Sequence, residues 1–384
     1  MRTLVAQRIT GIALGYEDLN DHDDLRHDPL LALLAGKLEA RRKGCAALAG
    51  KSTLNRLEHA PPGGEPGHYH RIDHDPDALQ AELVELFIDL WEGKPPSGLV
   101  LDIDSIDDAA HGRQEGRFFH GYYGHYCFLR LYITCGGRPL FAQLRPGNAD
   151  PTGDVTAPLD RIIARLRQEW PWLKILLRAD SAYAREDLLA WCKDNRVDYV
   201  IGLARNSRLV KRIESELADA QAEAVRHGRP ARRYTESHRH LLGPDRLRAR
   251  LLLAGRHGEH HQGAAARSLL RPDFSLAHRR QPAPHPVSCF ASILLDVLRR
   301  TLVGTRLARA TAGTLRLKLL RIGDRVSVSV CRVKVAMDSA HPSAAAFEQV
   351  RPIARVTFHP LPHFLSRRSV GPHAPRPPQS RQVT

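Results

Sequence analysis

The sequence predicts an α/β domain built on a mixed sheet, and three patterns in the middle of the chain support this fold class. From Gly98 the segment GLVLDIDSID alternates apolar and acidic residues, which is typical of a strand. The segment CFLRLYITCGGRPLFAQLRPG predicts a hairpin that turns at Gly136-Gly137. Two further apolar runs, at 173–183 and 197–204, alternate with helical patterns. Antiparallel strands followed by helix–strand alternation predict a sheet with both kinds of pairing.

A helical N-terminal region, residues 1–92, precedes the sheet. Its first apolar residues, from Leu4 to Ala13, recur at helical spacing. Asp28-Pro29 predicts the start of another helix, because proline fits the first helical position. Residues 60–76 are rich in glycine and proline and predict a linker, whereas 77–92 carry the apolar face of an amphipathic helix.

The core of the predicted domain spans residues 93–236 and contains all the strands named above. The periodicity of its apolar residues also predicts three helices, at 155–169, 185–194 and 207–227. The strand at 173–183 carries an acidic residue where its apolar run stops.

The remaining chain divides into three parts. Residues 237–288 have no sustained period and few acidic residues, and predict irregular structure. Residues 289–347 predict two helices over 289–322 and one strand with a basic face over 324–337. The tail 348–384 is rich in proline and has no acidic residue from Arg351 onward, so it is predicted to be disordered.

The composition favours a polyanionic partner. Lys and Arg outnumber Asp and Glu by 57 to 42, which gives a net charge of +15, although a basic surplus spread evenly over a soluble protein would give the same number. The six cysteines form no CxxC pair and are predicted to be reduced core residues of a cytoplasmic protein. No apolar run approaches the roughly 18 residues of a membrane span, and no signal peptide is indicated, so no membrane partner is expected.

A set of carboxylates is the strongest chemical feature. Asp102 and Asp104 lie two apart on one predicted strand, so their side chains share a face, and Asp180 ends another strand. If the two strands pair, these acids meet at one edge of the sheet and can hold divalent cations for phosphoryl transfer. The structural alternative is that Asp180, followed by Ser181, only caps the next helix.

Several long segments resemble one group of bacterial insertion-sequence transposases of the DDE type. The first is VLDIDSIDDAAHGRQEGRFFHGYYGHYCFLRLYITCGGRPLFAQLRPGNAD, and the second is ILLRADSAYAREDLLAWCKDNRVDYVIGLARNSRLV. The opening from Leu4 to Pro29, LAGKSTLNRLE and ARATAGTLRLKLLRIG are similar to other blocks of that group. The resemblance covers most of 4–236 and 290–347.

The resemblance implies an RNase H-like fold, a DDE triad that acts on DNA, and Mg²⁺ as the cofactor, with Mn²⁺ as a substitute. Asp104 is then the first acid, with Asp102 as a close alternative or an auxiliary ligand, and Asp180 is the second. Asp104 and Asp180 would hold the metal. The implied partner is double-stranded DNA, both as element ends and as target, and a homodimer is one possible assembly.

The third acid of the triad departs from the family pattern. The resemblance implies a helical block of the form Gly-Asp-Met-Glu-Asn, and residues 237–288 occupy its place. Permitted codons for GRHGEHHQGAAARSLL, read one nucleotide later, encode that block, which suggests a segment translated out of frame. Glu259 lies within a residue of the expected position and could replace the lost acid, or the acid is absent. The upstream part of the N-terminus is also shorter than in the family.

Three functions therefore compete: an active transposase, a catalytically inactive remnant that binds DNA nonspecifically, and an RNase H-like nuclease without transposition. Two segments are candidates for DNA contact. The segment EGRFFHGYYGHY (115–126) could stack on DNA or belong to the sheet core. The basic residues between Arg299 and Lys334 could follow phosphates or form a solvated charged face.

Overall fold

The computed structural model describes most of the chain. The described residues are 2–37, 47–58, 75–91, 93–110, 112–203, 207–229, 231–237, 249–254, 285–328, 333–337 and 341–350. Glu259, the predicted linker up to residue 74 and the tail from Arg351 lie outside them.

Twelve α-helices occur in the described residues. In chain order they are α1 (Arg2–Leu14), α2 (His22–Leu25), α3 (Pro29–Leu34), α4 (Lys51–Glu58), α5 (Pro76–Asp89), α6 (Thr156–Glu169), α7 (Glu186–Asp194), α8 (Ser207–Arg212), α9 (Glu214–His227), α10 (His285–Thr301), α11 (Ala312–Leu315) and α12 (Ala344–Val350). Aspartates begin two of the predicted helices: Asp28 accepts a hydrogen bond from the Leu31 backbone, and Asp75 caps α5 in the same way.

Ten strands occur in the same residues. They are β1 (Gly98–Ala109), β2 (Phe118–His120), β3 (His125–Cys135), β4 (Arg138–Pro146), β5 (Lys174–Ala179), β6 (Asp198–Ile201), β7 (Arg232–Ser237), β8 (Ala249–Ala254), β9 (Asp324–Val328) and β10 (Val333–Met337). The predicted hairpin is confirmed, because β3 and β4 join through Gly136 and Gly137, which both have positive φ.

The main sheet has six strands and mixed pairing. Its order is β2-β3-β1-β5-β6, and β4 also pairs with β3. The strands β1 to β4 pair antiparallel, whereas β1, β5 and β6 run parallel to one another. This mixed sheet flanked by helices confirms the predicted α/β fold class.

Two apolar cores support the sheet. The first joins β1, β3 and β5 to α6 and α7 through residues such as Leu101, Leu159 and Leu188. The second joins the sheet to α1, α5 and α10 through residues such as Tyr132, Leu83 and Phe290. Because helices cover the sheet through both cores, most of β3 is buried along its length.

Three predicted elements differ in the structure. The single helix predicted over 207–227 is broken at Ile213, where the backbone leaves the helical region, and forms α8 and α9. The single strand predicted over 324–337 is a hairpin of β9 and β10. The segment predicted to be irregular contains β8, which pairs antiparallel with β7, and α10 begins at His285. In the first two cases periodicity detected the kind of element but not the position where it breaks, and in the third it gave no signal, because the strand is defined by its pairing partner. The predicted boundaries of the five regions stay predictions.

A buried polar network fixes the N-terminal region. Arg8 is 1% exposed, forms an ion pair with Glu58, and donates to the backbone oxygens of Tyr16 and Glu17 at 3.1 and 2.8 Å. The side-chain amide of Gln7 donates a hydrogen bond to the backbone carbonyl of Ala49 and accepts one from its backbone N–H. A buried guanidinium needs such partners, because an unpaired charge in the interior is strongly unfavourable.

Buried arginines also attach the C-terminal helices to the rest of the domain. Arg316 donates to the carbonyl oxygens of Ala13 and Ile12 at 3.0 and 2.9 Å, at the end of α1. Arg138 on β4 donates to Asp296 on α10 at 2.9 Å. Arg316 is therefore a structural residue and not part of a basic surface, contrary to its grouping among the basic residues 299–334. None of the helices in the described part of the chain is long and apolar enough to cross a membrane.

The buried His22 makes the fold sensitive to acid. Burial, and then the charge of Arg8, lowers the pKa of His22 from 6.5 to about 4. Between those values the unfolded chain binds a proton that the folded chain does not, so the free energy of unfolding should fall as the pH drops through this window. The loss should reach about 3 kcal/mol for this residue.

Urea unfolding at a series of pH values, followed by circular dichroism, measures this effect. The variant His22→Gln should show a shallower decrease than the wild type, whereas His227→Gln, at an exposed position, should not. An equal pH dependence in wild type and His22→Gln would show that His22 is not the responsible group.

Candidate active site between β1 and the carboxyl end of β5

The pairing of β1 with β5 brings the predicted acids together. Asp102 lies in register with Arg178, and Arg178 donates two hydrogen bonds to its carboxylate, one of them 2.9 Å long. The side chains of these two residues thus share one face of the sheet. Asp102, predicted as an alternative first acid, has its carboxylate bound to a guanidinium.

Asp104 and Asp180 lie two residues beyond this ion pair. The last paired positions of the two strands are Ile103 and Ala179, so Asp104 and Asp180 occupy the next position on each chain. Alternation of side chains along extended backbone directs both acids to the side of the Asp102–Arg178 pair. Asp104 is partly buried and Asp180 is exposed.

Asp180 also caps a short 3-10 helix. Its Oδ1 accepts a hydrogen bond from the Ala182 backbone at 2.9 Å, so the capping role considered from the sequence is present in the structure. Gly202, after β6, donates its backbone N–H to Ala179, and a Cβ at this position would lie 3.1–3.3 Å from backbone atoms of Ser181 and Asp180. Neighbouring backbone therefore constrains the position of Asp180 on both sides.

A buried arginine links the chain segments that carry the acids. Arg145, on β4, is 5% exposed and donates from Nη2 to Ser105 Oγ at 2.8 Å. Ser105 Oγ in turn shares a hydrogen bond with the hydroxyl of Tyr183. Nη1 of the same arginine donates to three carbonyl oxygens of the loop after β4, those of Asp150, Pro151 and Gly153. Arg145 thus connects β1, the residues after β5 and the β4–α6 loop.

The pKa values of two tyrosines reflect the surrounding carboxylates. Burial raises the pKa of Tyr183, and the charges of Asp104 and Asp180 raise it further. Burial also raises the pKa of Tyr123 to about 12, with added effects of Asp107, Asp104 and Asp180. Both hydroxyls are therefore neutral at physiological pH and can donate hydrogen bonds beside the acids.

Sequence reasoning singled out the acids but missed the polar residues that surround them. Arg178, Ser105, Tyr183 and Arg145 lie within the quoted segments, yet their spacing carries no signal of mutual contact. The order of residues in a sequence does not tell which strands pair, and the contacts of these four depend on that pairing.

The donor set suits a hard divalent cation. Mg²⁺ is commonly held by one or two carboxylates together with water and substrate phosphate oxygens, and Asp104 with Asp180 supplies two carboxylates. Within the described residues no group of three or more metal-ligating side chains is found, and Glu259, the predicted replacement for the third acid, lies outside them. Asp104 and Asp180 therefore offer carboxylate oxygens of the kind that such an ion prefers.

Comparison with known proteins identifies the family. A family model described as transposase DDE domain group 1 matches residues 1–240. The chain belongs to this transposase family. None of the curated proteins matches it in sequence.

Among solved structures, the chain is similar to several transposases at low identity. A piggyBac transposase synaptic complex with hairpin DNA gives 13% identity and a TM-score of 0.30, over 56% of this chain and 43% of that one. The catalytic domain of Mos1 mariner transposase is 11% identical with a TM-score of 0.22, and the match covers 44% of this chain and 77% of that one. The Mos1 mariner paired-end complex with Mn is 11% identical with a TM-score of 0.21, and the match covers 54% of this chain and 62% of that one. The chain thus spans less than half the length of the piggyBac protein.

Removal of Arg145 should destabilise the transposase domain. Arg145→Met leaves Ser105 Oγ and the three loop carbonyl oxygens without their common donor, so the free energy of unfolding should fall by at least about 2 kcal/mol. The matched control is Arg161→Met, which removes an exposed ion pair with Asp77 and should cost no more than about 0.5 kcal/mol. Urea unfolding of both variants measures the difference, and equal losses would contradict the assigned role of Arg145.

Proposed function

We propose that this transposase cleaves and joins DNA ends in a metal-dependent reaction, with Asp104 and Asp180 as the carboxylates that hold the metal. The observation that carries the proposal is the juxtaposition of the two acids on neighbouring parallel strands, one position beyond the last paired residues. Membership in the family supports the reaction class.

Mg²⁺, or Mn²⁺ in its place, is the proposed ion. When bound, it would lower the pKa of a water nucleophile and stabilise charge on the phosphate during in-line displacement. The role of Asp104 and Asp180 is to supply hard oxygen ligands. Asp102 serves as a positioning residue, because its ion pair with Arg178 joins the two strands immediately before the acids.

The residues around the acids keep their geometry fixed. Arg145 holds Ser105 and Tyr183 on the two chain segments that carry Asp104 and Asp180. A fixed constellation matters because small displacements of catalytic groups reduce rates strongly. The buried positions of Arg145 and Tyr183 make them supports of the site and not groups that touch DNA.

The partner in this proposal is double-stranded DNA, first as the ends of an element and then as a target. The net charge of +15 supports a polyanionic partner. Assembly as a homodimer and a cytoplasmic location stay predictions.

A second candidate is a catalytically inactive remnant that binds DNA nonspecifically. The match to the family model stops at residue 240, where the irregular segment 237–288 begins. The block that should carry the third acid lies after residue 240. Because the match to the family ends before this block, loss of the third metal ligand is favoured. Glu259 as a substitute ligand is the competing possibility.

Substitution of the acids tests the assignment. Asp104→Asn and Asp180→Asn should each lower Mg²⁺- or Mn²⁺-dependent cleavage of DNA carrying the element's ends by a hundredfold or more, because each removes a charged ligand. Asp102→Asn should retain more than a tenth of wild-type cleavage, because Asp102 acts only through Arg178. Product formation on denaturing gels gives the rates.

The matched control is Asp198→Asn. Asp198 is exposed and begins β6, at the opposite end of the parallel strands, so its cleavage rate should equal that of the wild type. If Asp102→Asn abolished cleavage while Asp104→Asn did not, the first acid would be Asp102 and the assignment would be reversed.

A version with the reading frame of 237–288 restored distinguishes the two candidate functions. If the third acid is lost, the restored version should cleave DNA and the present chain should not, while both bind DNA equally in an anisotropy titration. Cleavage by the present chain that disappears in Glu259→Gln would instead assign Glu259 as the third ligand and exclude the inactive remnant.

A further inference from the structure

Exposed aromatic side chains are concentrated in one hairpin. Phe118, Phe119, Tyr122 and Tyr126 are 42%, 57%, 63% and 51% exposed, and Trp172 is the other exposed aromatic side chain among the described residues. These four lie within nine consecutive positions that contain β2, its turn and the start of β3. We call residues 117–126 the aromatic hairpin.

The aromatic hairpin is held in a fixed arrangement. Phe119 and Tyr126 are cross-strand partners whose rings meet edge to face at 5.6 Å, and the guanidinium of Arg117 lies 4.9 Å from the centre of the Tyr126 ring. Gly147, after β4, packs so closely on its base that a Cβ would lie 2.1 Å from the carbonyl oxygen of Cys127. Exposed rings held in place by backbone lose little conformational freedom on binding.

The turn of this hairpin reaches the candidate active site. The hydroxyl of Tyr123 donates to the backbone oxygen of Ser105 at 3.4 Å, one residue from Asp104. Tyr123 in turn packs edge to face against Tyr122, with ring centres 5.1 Å apart. The aromatic surface therefore begins where the two acids lie.

The chemistry of this surface fits bases more than phosphates. Flat aromatic faces and an arginine stack on nucleic-acid bases with little dependence on sequence, but bases inside a duplex already stack on one another. The neighbouring carboxylates of Asp104 and Asp107 repel phosphate oxygens. A single unpaired base offers an open ring face without requiring the duplex backbone to cross these acids.

We propose that the aromatic hairpin stacks on unpaired bases of a DNA end that lies beside Asp104 and Asp180. The proposal rests on the proposed function, because it needs a DNA end at those acids. It assigns Phe119 and Tyr126 as the stacking residues, with Arg117 supporting Tyr126, and it predicts that an end with frayed or overhanging bases binds better than a blunt one.

Binding of defined DNA ends tests the proposal. The probes are a blunt duplex and the same duplex with a short overhang that contains 2-aminopurine, with no divalent metal present so that nothing is cleaved. The variants are Phe119→Leu, Tyr126→Leu and the pair, because leucine keeps an apolar side chain but removes the ring. The control is Trp172→Leu, since Trp172 is exposed at the opposite end of β5.

The wild type should quench 2-aminopurine fluorescence and bind the overhang more tightly than the blunt end. Each leucine variant should lose about tenfold in affinity for the overhang and most of the quenching, with blunt-end affinity changed less than twofold. Trp172→Leu should behave like the wild type. Tyr126→Phe, which keeps the ring, should retain quenching and affinity.

Three outcomes would overturn the proposal: no change in overhang binding, an equal loss for blunt and overhanging DNA, or a loss of self-association in place of DNA binding. The last outcome would assign the hairpin to a protein contact. The test is independent of the metal assignment, because Asp104→Asn should still quench 2-aminopurine. Cleavage of DNA by Asp104→Asn would reject Asp104 as a metal ligand but would not affect the conclusion on base stacking.

Discussion

The parallel pairing of β1 with β5 is the constraint on which the candidate site depends. The Asp102–Arg178 ion pair joins the two strands across this pairing, in a register that leaves Asp104 and Asp180 at the next positions. A shift by one residue would turn the acidic side chains of β1 into the core formed around Leu101. The same pairing that buries the core therefore also sets the separation of the acids.

Segments distant in sequence keep this sheet in place. The Arg138–Asp296 ion pair attaches α10 to β4, and Arg316 closes the end of α1. Buried charges hold such contacts specifically, because loss of one partner leaves the other unpaired in the interior. The helices after residue 288 therefore pack in the same unit as the strands that carry the acids.

The surroundings of the site combine two kinds of chemistry. The carboxylates lie beside tyrosine hydroxyls that remain protonated, since burial and the same acids raise the pKa of Tyr123 and Tyr183. Tyr123 belongs to the aromatic hairpin, whose other rings, such as those of Phe119 and Tyr126, are exposed. A chain with a net charge of +15 therefore has a local acidic centre bordered by apolar ring faces, as the proposed binding of a cation and of unpaired bases requires.

The sequence by itself determined the order of helices and strands in the core, the helix start at Asp28, and the placing of Asp104 on one strand and of Asp180 at the end of another, because periodicity and capping are local properties of the chain. Tertiary structure alone decided that Asp102 bonds to Arg178, that Arg145 supports Ser105, and that the long helix breaks at Ile213. It also decided that the last predicted strand folds back as β9 and β10. These features depend on which strands pair and which charges become buried together, and such contacts are not encoded in the spacing of residues along one segment.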